Sequence, residues 1–142
     1  MKKPAYDECY LDMMIQKGRY LFKLIGRNCG DVFCIITEYM KSNYRKYMDM
    51  GNPLYLNKTP KQILGNMGIH VDVNADINER WDEFILEWMS DIYVYMQWYY
   101  GLYSSDIAEK IKPEKLYSMY HPLHEASVSN ACGKLIKIYG LK

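Results

Sequence analysis

Six apolar or aromatic residues, Trp81, Ile85, Trp88, Ile92, Tyr95 and Tyr99, fall at steps of four, three, four, three and four. Only an α-helix brings side chains back to one face at that spacing, since a strand alternates every two residues. The run predicts a helix that starts near Asp76 or Asn78, continues to Tyr100 and is terminated by Gly101. Phe84, Met89 and Met96 widen its apolar stripe, so a central position with neighbours on more than one side is expected. Asp76, Glu79, Asp82 and Glu83 would occupy its first turns, where the positive end of the helix dipole favours acidic groups.

The same periodicity recurs along the rest of the chain. Leu11, Ile15, Phe22 and Ile25, with Gly18 between them, predict a helix from Tyr6 to Ile25. A glycine there costs about 1 kcal/mol of helix propensity, which close approach of a neighbouring helix would explain. Asn28, Gly30 and Asp31 supply a stop, a turn and an N-cap. A second helix is expected from Val32 to Tyr47, burying Val32, Ile36, Tyr39 and Tyr47 with Ile35 and Met40 beside them. Gly51-Asn52-Pro53 should end it and lead into a short extended stretch. Thr59-Pro60 reads as an N-cap followed by proline at the first helical position, opening a short helix through Ile63, Leu64 and Met67 that Gly68 closes. His70 to Asn78 reads as a loop or a two-residue strand contact. Two short helices, Ser104 to Ile111 and Pro113 to Tyr120, precede a last one from about His124 to Tyr139. The fold expected is all-α: a compact single-domain bundle over residues 1–142, of about six or seven helices around one long central helix.

Composition narrows the function classes. Eighteen basic residues against seventeen acidic ones give a net charge of +1, without the basic excess of a dedicated nucleic-acid binder. The charge is uneven, however. Residues 1–50 hold nine basic and six acidic groups, whereas residues 72–91 hold seven acidic groups and only Arg80. Such asymmetry favours docking onto a partner with complementary patches. Lys2 and Lys3 lead into acidic and polar residues instead of the apolar run of a signal peptide. The longest uncharged stretch, Ile92 to Ser105, has 14 residues, too few to cross about 30 Å of hydrocarbon. Cys9, Cys29, Cys34 and Cys132 show neither C-x-x-C pairing nor zinc-ligand spacing and read as free thiols. A cytoplasmic protein with no cofactor and no membrane contact is expected.

Several constellations invite a chemical reading. Arg19, Lys23 and Arg27, with Lys17 nearby, form a basic ridge on the first helix, read as a solvated face. Glu83, Glu87 and Asp91 form an acidic line on the long helix, read as a solvated face or as one that meets the basic ridge. His121, His124 and Glu125 lie within five residues and could centre a metal or acid–base site. Pro122 between the imidazoles instead suggests that they flank the start of the last helix, and further ligands would have to come from distant carboxylates. Ser104 to Leu116 superficially matches half of a helix-turn-helix, but its second helix offers only Lys115 for phosphate, which argues against DNA reading. Phosphate-binding glycine loops and nucleophile-elbow motifs do not occur.

The fifteen tyrosines are the strongest compositional signal. Tyr93, Tyr95, Trp98, Tyr99, Tyr100 and Tyr103 cover more of a helix circumference than one core stripe can use, and tyrosine and tryptophan combine apolar area with a polar handle suited to interfaces. The candidate interaction surface therefore comprises Tyr93, Trp98, Tyr100, Tyr103, Tyr120, His121, His124 and Glu125, with a protein partner and self-association both open.

Four segments carry a resemblance: Tyr10-Leu11-Asp12-Met13-Met14, Gly51-Asn52-Pro53-Leu54-Tyr55, Tyr95-Met96-Gln97-Trp98-Tyr99-Tyr100-Gly101 with Ser105-Asp106-Ile107, and Met119-Tyr120-His121-Pro122-Leu123-His124-Glu125. In this order the chain resembles a group of small bacterial helical proteins with no established activity. The resemblance implies a compact helical protein, of a kind sometimes found beside toxin–antitoxin-like or mobile-element genes. The chain departs from that pattern after Glu125, where Ala126-Ser127 stand in place of an acidic residue, and in the middle of the long helix. An antitoxin-like or inhibitor-like accessory factor, acting by surface complementarity and without catalysis, is the function expected.

Overall fold

Two helices of equal length, lying antiparallel, form the axis of the molecule. The computed structural model describes residues 5–75 and 80–141. A 3-10 turn, Glu8–Tyr10, capped by the Asp7 carboxylate, leads into α1 (Leu11–Asn28). Then come α2 (Val32–Lys41), α3 (Asn43–Asp49), α4 (Pro53–Leu56) and α5 (Pro60–Asn66). The second long helix is α6 (Glu83–Tyr100), followed by α7 (Ser104–Lys110), α8 (Pro113–Ser118), α9 (Tyr120–Leu123) and α10 (Val128–Tyr139). The all-α architecture with a long central helix is as expected, and the described residues contain no strand. The segments outnumber the expected six or seven because single turns interrupt longer apolar runs.

Those interruptions have local causes. The α6 helix starts at Glu83, later than the apolar spacing suggests, because the Asp82 carboxylate accepts from the Phe84 N–H and fixes the N-terminus. Trp81 therefore lies before the helix, and Asp76, Asn78 and Glu79 fall outside the described residues. The helix expected from Val32 to Tyr47 breaks at Ser42, whose extended backbone ends α2 while its hydroxyl caps α3 through the Arg45 N–H. The break turns Tyr47 outward. In place of an extended stretch, Asn52 caps a single turn with Pro53 at its start. The last helix begins at Val128, capped by Ser127, so His121 and His124 belong to the preceding one-turn α9 and its C-cap. At α5 the expected cap is complete: Thr59 and Gln62 form a reciprocal capping box.

α1 and α6 make the principal packing of the bundle, and Gly18 sits directly against α6. A Cβ on Gly18 would stand 2.3 Å from Ser90 Oγ and 3.3 Å from Val94 Cγ2, which accounts for a glycine in mid-helix. Beside this crossing the two charged rows meet as a ladder. Arg19 pairs with Asp91 at 2.8 Å, Lys23 with Glu87 at 3.9 Å and Arg27 with Glu83 at 2.6 Å. The outer rungs are two-point guanidinium–carboxylate contacts, the geometry that gains most from such a pair. The basic ridge is thus not a free solvated face.

On another side of α6 a polar knot is buried. Arg45, only 1% exposed, donates from Nε to Ser104 Oγ at 2.9 Å and lies 3.3 Å from Asp49 Oδ1. Asp49 also accepts from the Ser104 N–H and hydroxyl at 2.6 and 2.7 Å, and Gln97 Nε2 donates to the Asp49 carbonyl. Burial works against the Arg45 charge, but Tyr39, Asp49 and Tyr6 around it hold the guanidinium firmly protonated. These contacts tie α3 to α6 and to the start of α7.

Candidate interaction surface

Beyond the ladder and the knot, α6 presents Phe84, Trp88, Tyr95 and Tyr99, spaced to share a third face. α9 and α10 lie alongside α6. The Tyr95 hydroxyl hydrogen-bonds to Ser129 Oγ at 3.3 Å, and the Tyr95 and Tyr99 rings stack with centroids 5.4 Å apart and planes 11° from parallel. Tyr100 meets Tyr99 edge-on at 5.0 Å. Nearer the helix start, Trp88 meets Tyr120 edge-on, and Tyr120 stacks on His124 at 4.5 Å.

Two open grooves follow each other along this face, with the His124-Glu125-Ala126 turn between them. The larger, about 480 Å³, is lined by Tyr99, Tyr100, Ala126, Asn130, Lys134 and Lys137, among others. The smaller, about 270 Å³, lies between Phe84, Trp88, Tyr120 and His124, with Arg19, Glu87 and Asp91. Their electrostatics differ. Lys134 and Lys137, one turn apart on α10, are both exposed and have no ion pair among the described residues. The smaller groove contains two carboxylates, of which Asp91 is fully engaged by Arg19.

The structure divides the residues singled out from sequence. Tyr93 and Trp98 do not belong to any surface. Tyr93 is 1% exposed and donates to the Ile111 carbonyl at 2.7 Å, and burial pushes its phenol far above the ordinary range. Trp98 is buried and donates from Nε1 to the Tyr6 carbonyl at 2.7 Å, which fastens the N-terminal segment. Tyr103 is exposed, but at the N-cap of α7, where Lys46 Nζ lies 5.9 Å from its ring. Tyr100 and Tyr120 are half-buried at the grooves, and His121, His124 and Glu125 are exposed.

His121 and His124 do not converge on a common point. Their ring centroids are 6.1 Å apart and nearly perpendicular. His124 Nδ1 lies 3.0 Å from the carbonyls of Tyr120 and His121; since carbonyls only accept, Nδ1 carries a proton there. Among the described residues no three His, Cys, Asp or Glu side chains gather as a metal set. α8 buries Pro113 and Leu116 and leaves Glu114 exposed beside Lys115, a short helix of mixed charge facing outward. Burial pushes the Cys132 thiol up to about 12, leaving it un-ionised at neutral pH.

Several groove residues were not apparent from the sequence. Tyr95 and Tyr99 belonged to the predicted core seam, yet both are half-buried; the change from isoleucine to tyrosine after Ile92 was the available signal. Phe84, expected to widen the core stripe, is 75% exposed. Lys134 and Lys137 carried no signal beyond lying on opposite flanks of Leu135 and Ile136. No described helix is long and apolar enough to cross a membrane. Compared with protein-family models, curated proteins and solved structures, the chain matches none.

Proposed function

We propose that this protein is a non-enzymatic interaction factor, antitoxin-like or inhibitor-like, that works in the cytoplasm by engaging a protein through the face formed by α6, α9 and α10. The observation that carries this reading is the half-buried Tyr95–Tyr99–Tyr100 cluster bordering an open groove of about 480 Å³. Aromatic rings already held by stacking lose little side-chain freedom on binding, and their hydroxyls can exchange water for a partner's polar groups. The residual cationic charge of Lys134 and Lys137 adds orientation.

Affinity capture by the wild-type chain, compared with the Tyr99→Lys variant, tests the role. The expected result is a protein retained by wild type and lost from the variant while the variant's helical circular dichroism is unchanged. Equal retention by both, or no retained protein and no self-association at all, contradicts it.

A further inference from the structure

The two grooves carry opposite charge, and this restricts what can cover them together. In the larger, the charged groups among the described lining residues are Lys134 and Lys137, without acidic neighbours there. Across the His124-Glu125-Ala126 turn, the smaller groove contains Glu87, which reaches Lys23 only at 3.9 Å and so retains accepting capacity. Glu125, exposed and without an ion pair among the described residues, sits on the turn itself. The face therefore has two cations at one end, two available carboxylates towards the other, and stacked tyrosines between. A uniformly acidic partner, or a nucleic-acid backbone, would gain at the lysines and be repelled at the glutamates. A partner with the same two ends in reverse order gains at both.

The chain itself supplies that partner. Deepening the interaction role proposed above, and resting on it, we propose that this face binds a second copy of the chain about a twofold axis beside the Tyr95–Ser129 contact, between the lysines and the His124–Ala126 turn, so that Lys134 and Lys137 of each copy meet Glu87 and Glu125 of the other. A twofold interface is self-complementary, and every favourable contact occurs twice. Tyr95, Tyr99 and Tyr120 lie towards the middle of the face, where aromatic residues are enriched in interfaces, and the charged pairs lie towards the rim.

Sedimentation velocity on the full chain tests the proposal through three proteins: wild type, K134E/K137E and E87K/E125K. Wild type at about 100 μM is expected at twice the 16.9 kDa chain mass, with weaker association at about 1 M salt, where screening is nearly complete. Each variant alone places like charges opposite each other and should associate about tenfold more weakly or less. Mixed in equal amounts, the two variants restore opposite charges at both ends and should form a mixed dimer. A wild-type chain still monomeric at about 1 mM, a dimer indifferent to the substitutions, or a mixture of folded variants that stays monomeric overturns the proposal. If wild type is monomeric but Tyr99→Lys still abolishes capture of another protein, self-association is wrong and the interaction role stands; if that capture is also unaffected, both are wrong.

Discussion

The sides of α6 handle charge in opposite ways. Towards α1, Glu83, Glu87 and Asp91 meet Arg27, Lys23 and Arg19 rung by rung, and towards α3 the Arg45–Asp49 pair is buried with Ser104. Towards α9 and α10, Lys134 and Lys137 have no ion pair among the described residues and stand beside half-buried tyrosines. The sequence-level asymmetry, basic early and acidic around residues 72–91, suggested a dipolar docking surface. Folding brings three charges from each stretch together in the ladder, where they fix the α1–α6 crossing, and of these Glu87, 3.9 Å from Lys23, keeps accepting capacity for a partner. The face proposed for binding is the one where folding leaves charge unused.

The largest effect should come from the closed side. Asp49→Ala strands a buried guanidinium, and a loss of about 3–5 kcal/mol is expected from urea unfolding; a loss below about 1 kcal/mol would show that the knot does not hold α3. Next is Gly18→Ala, where the new methyl meets Ser90 Oγ. Overpacking should cost about 1–3 kcal/mol and outweigh the helix propensity gained. Gly26→Ala is the comparison: its methyl would meet Leu86 Cδ1 alone, at 2.6 Å, whereas at Gly18 it meets both Ser90 and Val94, so Gly26→Ala should be the milder change.

Smaller still is Arg27→Ala, expected to cost about 1 kcal/mol or less at neutral pH because the rung is partly exposed. Its hydrogen bonds from Arg27 hold the Glu83 carboxyl below its usual pKa. The stabilisation is therefore present above the unfolded-state glutamate pKa and lost as pH falls through the lower folded value. The gap between wild type and Arg27→Ala should narrow below about pH 4, and a gap that widens on acidification contradicts the ladder. On the open side, K134E/K137E should change unfolding free energy by no more than about 0.5 kcal/mol while weakening association.

Much of the closed side could be read from the chain. Gly18 announced a close crossing, and the i, i+4, i+8 rows on two helices offered the ladder as one of two outcomes. Thr59-Pro60 and Gly101 marked true helix ends. The buried knot could not be read, because Arg45 and Asp49 at i, i+4 look the same as a surface pair and only tertiary packing decides their burial. The Ser42 break was hidden because apolar spacing runs through it, and the cap that makes the break is a single hydroxyl. On the open side, Tyr100, Tyr120 and His124 line the two grooves, whereas Tyr93 and Trp98, which the sequence places in the same group, are buried. Their polar atoms suggested a surface role, whereas each finds a backbone carbonyl inside the core.

Amide hydrogen exchange at low and high protein concentration tests the division most directly. Concentration-dependent protection is expected in α9, α10, the turn between them and α6 from Glu87 onward, with exchange in α1 and α3 unchanged. Added protection along α1 instead, or none anywhere as concentration rises and association is independently observed, would contradict it.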